Sequence, residues 1–358
     1  MSAIQSGKIN ALETLRGAAA LCVAVYHLRL GYFDNLFFAH AGIMVDFFFV
    51  LSGLVIALNY RSRLASVADI TAFQTKRFFR LYPLHLITLM AFVVIEIIAA
   101  PPHGFENDLG SLVANLFLVH NFTEPGLTWN YVSWSISAEF YTYLLFAMVV
   151  FFARSERSLL VVSALLCAVC WTLLLINNRG IIAFEFHTGP LRCIFNFFLG
   201  AILVSVFDRM KRRSVIRSSV PSLVLVLLTI LGITYFGVSG NLFRVFLPFL
   251  FALTILVVSL TDPAEARFAA LLNHRNLVYT GTISYGIYMI HPFVWWVLQG
   301  SAGQVIQQND LIATVFVIFG LALVLGFSHL SYKHIEAPAA RYGARLGWFS
   351  NLKQKKAT

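Results

Sequence analysis

Long runs of apolar residues alternate with short polar stretches along almost the whole chain. Ten of these runs contain about 20 residues each, which is the length that a helix needs to cross a lipid bilayer. They occupy residues 10–30, 42–60, 81–99, 132–153, 158–176, 189–207, 220–238, 243–261, 280–299 and 310–331. The pattern predicts an all-α, polytopic integral membrane protein with about ten transmembrane helices. The apolar run 111–120 is too short to span and is predicted to be a partial or interfacial helix.

The composition supports this class. Of the 358 residues, 59% are hydrophobic and 12% are charged, and the mean hydropathy is +0.79. The four cysteines lie in apolar runs, where cysteine behaves as a small hydrophobic residue. Cys167 and Cys170 lack a second pair of ligands, so we expect no metal site and no tightly bound cofactor.

Basic residues concentrate between alternate apolar runs. With a cytoplasmic N-terminus, 22 of the 26 Lys and Arg residues lie on the cytoplasmic side, so the positive-inside rule predicts that both termini are cytoplasmic. The net charge of +10 is then a signal of orientation in the lipid bilayer, and nothing indicates a nucleic acid partner. We expect residues 1–332 to form the transmembrane domain and residues 333–358 to form a short basic cytoplasmic tail.

Arg16 and His27 stand out within the first apolar run. Eleven residues are close to three helical turns, so the two side chains should share one stripe, about 16 Å apart along the helix. Ionisable groups at membrane depth are costly and are functional candidates unless a partner or a water-filled cavity explains them. The structural alternative is an Arg16 that extends to the membrane surface and a buried, hydrogen-bonded His27.

Further polar residues should gather with His27 in the outer half of the bundle. A histidine beside a carboxylate can remove a proton from a hydroxyl, because the carboxylate fixes the tautomer and stabilises the imidazolium. We therefore expect His27 to act as general base with Asp46 as its orienting group, and Glu139 or His291 to position substrate or relay the proton. Substrate contacts are expected from Ser284, Tyr288 and Arg192. Alternatively, Asp46 caps its helix, and His291 marks a kink at Pro292.

A second polar group lies at the inner side. Arg77 and Arg80 are expected in an inner loop, followed by Tyr82 and by Pro83 in the first turn of the third span. Guanidinium groups bind phosphate through two parallel hydrogen bonds, so this pair suits a phosphate-rich ligand. The alternative is that both arginines are ordinary anchors at the membrane surface.

Five motifs in order resemble the bacterial membrane acyltransferases of family 3. They are LETLRG at 12–17 with ten residues between Arg16 and His27, VDFFFVLSG at 45–53, KRFFRLYP at 76–83, WSISAEFY at 134–141 and SYGIYMIHP at 284–292. The resemblance covers nearly the whole chain and is to the stand-alone form, without a fused esterase-like domain. It implies a ten-span fold, an essential Arg16 and His27, and contact of Arg77 and Arg80 with the acyl donor.

The resemblance also implies a function. Such proteins are integral membrane O-acyltransferases that move an acyl group, commonly acetyl, from cytoplasmic acyl-CoA to a hydroxyl. The acceptor is typically a sugar of an exopolysaccharide or of a lipid-linked glycan, and Nod-factor and macrolide acceptors also stay open.

We therefore expect a multi-pass protein of the bacterial inner membrane, with acetyl-CoA as co-substrate and Tyr82 beside the donor-binding arginines. The alternative is a transporter or flippase of a lipid-linked sugar, in which the buried charges line a pathway. The acyl chain and the oligomeric state stay open.

Overall fold

The computed structural model describes residues 9–28, 37–98, 107–123, 126–153, 155–177, 188–213, 215–237, 242–306 and 310–355. These residues form α-helices, short 3₁₀ turns and one π-helical turn, Tyr332–Glu336. The α-helices in this part of the chain are α1 (Asn10–Tyr26), α2 (Met44–Tyr60), α3 (Val67–Ile98), α4 (Leu109–Leu116), α5 (His120–Thr123), α6 (Trp134–Phe152), α7 (Glu156–Asn177), α8 (Gly189–Arg213), α9 (Val220–Phe236), α10 (Leu247–Leu260), α11 (Arg267–Leu272), α12 (Arg275–Thr282), α13 (Ser284–Ile306), α14 (Asp310–Ser331) and α15 (Ala337–Lys355).

Every predicted apolar run contains a helix, which confirms the all-α membrane class. Within the described residues, seven helical segments are long and apolar enough to cross a membrane. They are Phe38–Tyr60, Val67–Ile98, Tyr131–Phe152, Glu156–Ile176, Gly189–Arg212, Phe243–Leu260 and Leu311–Gly347. The count of ten spans and the cytoplasmic position of both termini stay predictions. The predicted run ends at 30, 99 and 238 lie outside the described residues.

Helix α3 begins earlier than the apolar pattern predicts. Ser66 and Asp69 form a reciprocal capping arrangement, in which the Asp69 carboxylate accepts from the Ser66 backbone N–H at 3.0 Å and the Ser66 hydroxyl accepts from the Asp69 N–H at 3.2 Å. Such a cap satisfies two backbone N–H groups at the start of a helix and so favours a helix that begins here. The prediction of an inner loop at Arg77 and Arg80 was therefore wrong, since both are helical, and Pro83 lies inside α3 rather than in its first turn.

The chain divides into two compact units. The first contains Met1–Arg61, Ser155–Phe184 and Leu191–Ser284, and the second contains Ser62–Arg154, Glu185–Pro190 and Tyr285–Thr358. In the second unit, α15 packs along α3, with the Phe79 ring against Gly343 and edge-on to Tyr342 at 5.3 Å. The expected basic tail is thus helical over much of its length, while the boundary at 332/333 stays a prediction. The run 111–120 forms the short helix α4 and the start of α5, as predicted.

Glycines allow a close contact between two helices of the first unit. A methyl group on Gly53 of α2 would clash with the carbonyl oxygen of Phe197, and one on Gly200 of α8 would clash with that of Val50. Small residues of this kind let the backbones of membrane helices approach each other closely. The contact aligns α2 and α8 so that their first turns, which carry Asp46 and Arg192, lie side by side.

This close contact yields a first prediction. Gly53→Ala should destabilise the protein by about 1–3 kcal/mol, since the added methyl forces two packed backbones apart. Thermal unfolding in detergent measures the effect. Gly326→Ala is the matched control, because a methyl group there has open space around it. Equal unfolding temperatures for the two variants would show that the α2–α8 contact is not tight.

Candidate functional site

His27 follows the last residue of α1 and is half-buried. Its Nδ1 lies 3.0 Å from the carbonyl oxygen of Val23, one turn earlier in the helix. A carbonyl can only accept, so Nδ1 carries the proton in this arrangement and Nε2 carries the lone pair. The Tyr26 ring meets the imidazole edge-on at 4.8 Å between centroids. A neutral His27 that makes this contact is therefore the Nδ1–H tautomer, with the lone pair on Nε2.

Arg16 forms an ion pair with Glu13 on the same helix. Its Nη1 lies 2.9 and 3.0 Å from the two carboxylate oxygens, and both side chains are largely buried. Helix α12 packs tightly against this turn, since a methyl group on Gly281 would clash with the backbone of Glu13. Arg16 is therefore held by a local carboxylate, and its position relative to the membrane surface stays a prediction.

Asp46 pairs with Arg192 inside the first unit. The Arg192 Nη2 lies 2.9 Å from Asp46 Oδ1, and these two side chains are only 4% and 8% exposed. Helix α2 begins with no side-chain cap, so the alternative in which Asp46 serves as a helix cap was wrong. Its role beside His27 stays a prediction. The pair lines a cavity together with Ile43, Trp171, Leu174, Phe195, Asn196, Arg244, Val245 and Pro248.

The second unit carries Glu139, Tyr288 and His291. Glu139 accepts a hydrogen bond of 2.6 Å from the Tyr143 hydroxyl one turn later. The Tyr288 hydroxyl lies 2.8 Å from both the Ser135 hydroxyl and the Val132 carbonyl. His291 is fully buried, and its Nδ1 lies 3.0 Å from the Ile287 carbonyl. His291 thus repeats the backbone contact of His27, while Ser284, also buried, begins α13 and ends the first unit.

The basic residues of α3 have specific partners in the second unit. Arg80 Nη1 lies 2.5 Å from Oε2 of Glu336, a carboxylate that is 1% exposed, and the guanidinium stacks over the Tyr285 ring at 5.4 Å. The Arg77 guanidinium lies 5.8 Å from each of the Phe73 and Tyr143 rings. The Tyr82 hydroxyl donates to the Leu116 carbonyl at 3.0 Å. Arg80 is therefore a partly exposed cation that pairs with a buried carboxylate.

Within the first unit the structure pairs Asp46 with Arg192, while Arg16 lies on α1 and pairs with Glu13, and His27 directly follows α1. The second unit holds Glu139, Tyr288, His291, Arg77, Arg80 and Tyr82. The sequence reasoning missed Glu336, although a signal existed, since Glu336 is the single acidic residue among the six Lys and Arg residues after position 332. It also left out the Val23 and Ile287 carbonyls, because backbone acceptors have no signature in a sequence.

A family model described as an acyltransferase domain matches residues 9–331. Acyltransferase MdmB of Streptomyces mycarofaciens is 34% identical over 158 residues, which are 39% of this chain and 39% of that protein.

O-acetyltransferase OatA of Staphylococcus aureus is 24% identical over 389 aligned positions, covering 97% of this chain and 59% of OatA. Peptidoglycan O-acetyltransferase OatA of Listeria monocytogenes is 26% identical over 376 positions, covering 97% and 58%. The chain thus spans less than two thirds of the length of these relatives. No solved structure matches it at a significant level. Because the family model covers nearly the whole chain, this protein belongs to the acyltransferase family whose domain it matches.

Proposed function

We propose that this protein is an O-acetyltransferase of the bacterial inner membrane, which moves an acetyl group from cytoplasmic acetyl-CoA to a hydroxyl of a carbohydrate acceptor. An exopolysaccharide or a lipid-linked sugar is the acceptor class. Family membership supports acyl transfer, and the names of both OatA relatives support acetyl as the group. The name of the Listeria relative, a peptidoglycan O-acetyltransferase, supports a glycan as the acceptor. The same membership favours this function over the transporter or flippase.

The observation that carries the proposal is the fixed tautomer of His27. With Nδ1–H donated to Val23, Nε2 is the nitrogen that takes a proton. His291 has the same tautomer, but it is fully buried, whereas His27 is half-buried and can meet a substrate. His27 is therefore the base, and His291 is a positioning or relay group.

The transfer step balances without a further reactant. His27 Nε2 removes the proton from the acceptor hydroxyl as its oxygen bonds to the thioester carbonyl carbon. The carbon–sulfur bond then breaks, the acetyl ester forms, and the imidazolium returns the proton to the leaving thiolate. Arg16 supplies positive potential along the path of the donor, moderated by its ion pair with Glu13.

The donor site is proposed on the inner half of α3. Arg77 lies between two aromatic rings, and Arg80 lies one turn further along the same helix. Both guanidinium planes suit the diphosphate of CoA. Because Glu336 already neutralises part of the charge of Arg80, Arg77 contributes most of the attraction for the donor.

The donor site predicts an effect of Arg77. Arg77→Ala should weaken the binding of acetyl-CoA about tenfold or more, and Arg77→Lys should recover only part of it, because lysine cannot bind phosphate through two parallel hydrogen bonds. Calorimetric titration of the detergent-purified protein measures the affinity. Arg217→Ala is the control, since that arginine is exposed and pairs with Glu265. Unchanged affinity in both Arg77 variants would contradict the donor site.

The ion pair of Arg80 with Glu336 predicts an effect on stability. Arg80→Met should destabilise the protein by about 3 kcal/mol, because it leaves the Glu336 carboxylate buried without its partner. Adding Glu336→Gln should restore most of the loss, since the remaining amide is neutral. Thermal unfolding of the single and double variants measures this coupling. A double variant as unstable as Arg80→Met would contradict a buried, coupled pair.

Removal of the base His27 should have the largest effect on activity. His27→Ala should lower the rate of acetyl transfer by about 10²–10⁴-fold while leaving donor affinity unchanged. The wild-type rate should rise with pH until His27 is fully neutral, because only the neutral imidazole accepts a proton. In the assay, the protein is held in lipid nanodiscs, and the transfer of radiolabelled acetyl from acetyl-CoA to a soluble chitin oligosaccharide is measured.

His274→Ala, at an exposed histidine before α12, is the matched control and should behave as wild type. If His27→Ala kept normal turnover while His291→Ala abolished it, the base would be His291. If wild type transferred acetyl from another donor and not from acetyl-CoA, the donor assignment would be wrong.

A further inference from the structure

A pair of buried histidines in the second unit lies outside all five motifs. His85 is on α3 and His120 begins α5, and their side chains are 0% and 2% exposed. The two rings are parallel within 3°, with centroids 5.9 Å apart. The Nδ1 atom of each ring is buried and has no hydrogen-bond partner.

The hydrogen bonds around the pair determine where the protons lie. His85 Nε2 is 3.0 Å from the Asn115 carbonyl, so Nε2 is the donor and Nδ1 carries a lone pair. The Asn115 amide donates to the Ser111 carbonyl at 2.8 Å and to the Thr128 hydroxyl at 3.0 Å. Its oxygen therefore accepts from the Ser133 hydroxyl, 3.4 Å away.

The same chain of hydrogen bonds fixes His120. Since the Ser133 hydroxyl gives its proton to Asn115, its oxygen accepts from His120 Nε2 at 3.2 Å. The Nδ1 of His120 then also carries a lone pair. Two unprotonated nitrogens on neighbouring rings are thus buried without a hydrogen-bond partner among the described residues.

The backbone around the pair is held in a specific form. Four successive carbonyls at the end of α4 accept hydrogen bonds from side chains of α3 and α6: Asn115 from His85, Leu116 from Tyr82, Phe117 from Tyr141 and Leu118 from Ser137. Leu118 and Trp129 have positive φ angles of 57° and 48°, a conformation that is unfavourable for residues other than glycine. Strain that is over-determined by its surroundings is typical of functional sites.

Chemistry selects the class of ligand. A lone pair on a neutral imidazole requires a hydrogen-bond donor, which excludes a carboxylate or a phosphate dianion. A cation would be a buried charge, which is far more costly than a buried neutral group. Burial and the neighbouring His85 together lower the pKa of His120 to about 3, so the ring stays neutral and keeps a lone pair on one nitrogen.

We propose that the Nδ1 atoms of His85 and His120 form a binding site for hydroxyl hydrogens. Two sources supply that chemistry: bound water, or a hydroxyl of the carbohydrate acceptor, and the second source rests on the proposed function. Both residues are positioning groups in either case, since they orient a hydroxyl and stay neutral.

Nitrogen NMR of ¹⁵N-histidine-labelled, full-length protein in nanodiscs tests the site directly. The His85→Phe and His120→Phe variants assign the two Nδ1 signals. Both signals should lie upfield of the position of an unprotonated nitrogen without a hydrogen bond, because each Nδ1 accepts one. If this displacement is present without sugar and a chitin oligosaccharide leaves it unchanged, water is the source. If the sugar induces or alters it in a saturable way, the acceptor is the source. Protonated Nδ1 atoms, or signals of a bare lone pair with and without sugar, would overturn the proposal.

Kinetics separate this site from a merely structural role. If the acceptor is the source, His120→Phe should raise the KM for the oligosaccharide about tenfold, the loss expected for one hydrogen bond, without changing donor affinity. His120→Asn should restore part of the affinity, because its side-chain oxygen can replace Nδ1 as acceptor. His274→Phe is the control. A wild type without acetyl transfer would refute the proposed function, whereas the NMR signals without sugar would still decide the histidine site.

Discussion

A charged group in the apolar interior of a protein needs a partner of opposite charge, and among the described residues two such pairs each lie within one compact unit. Asp46 and Arg192 meet that constraint in the first unit, and Arg80 and Glu336 meet it in the second. A single charge left in such surroundings costs several kcal/mol, so each pair fixes the relative positions of the helices that carry it. The first turns of α2 and α8, and the junction between α14 and α15, are placed by these pairs.

The glycine contacts serve the same constraint. The side chains of Asp46 and Arg192 meet where the backbones of α2 and α8 come close. Gly53 and Gly200 allow that close approach. A sequence shows these glycines but not their partners. Packing and charge therefore act together, since the ion pair lies at the first turns and the glycines lie two turns further along.

The helices were predictable from the sequence, because a run of about 20 apolar residues has few alternatives in a membrane. The early start of α3 was missed because the Ser66 and Asp69 cap precedes a polar turn that resembles a loop. The candidates His27, Arg16 and Arg80 were found by residue type and spacing. Their partners Val23, Glu13 and Glu336 were not, since a partner is set by side-chain direction and tertiary packing rather than by periodicity. Asp46 shows the limit most plainly, because its recorded ion pair is with an arginine 146 residues away.

The π-helical turn Tyr332–Glu336 ties the Arg80 pair to the register of a whole helix. A π turn accommodates one more residue than an α-helical turn would. Each residue of an α-helix advances the chain by about 100°, so loss of one residue here would rotate α15 by more than a quarter turn. Gly343 would leave the Phe79 ring, and Glu336 would leave Arg80, in the same event. In this region the length of the chain is therefore as constrained as the identity of its residues, and a one-residue deletion would be a more severe change than most substitutions.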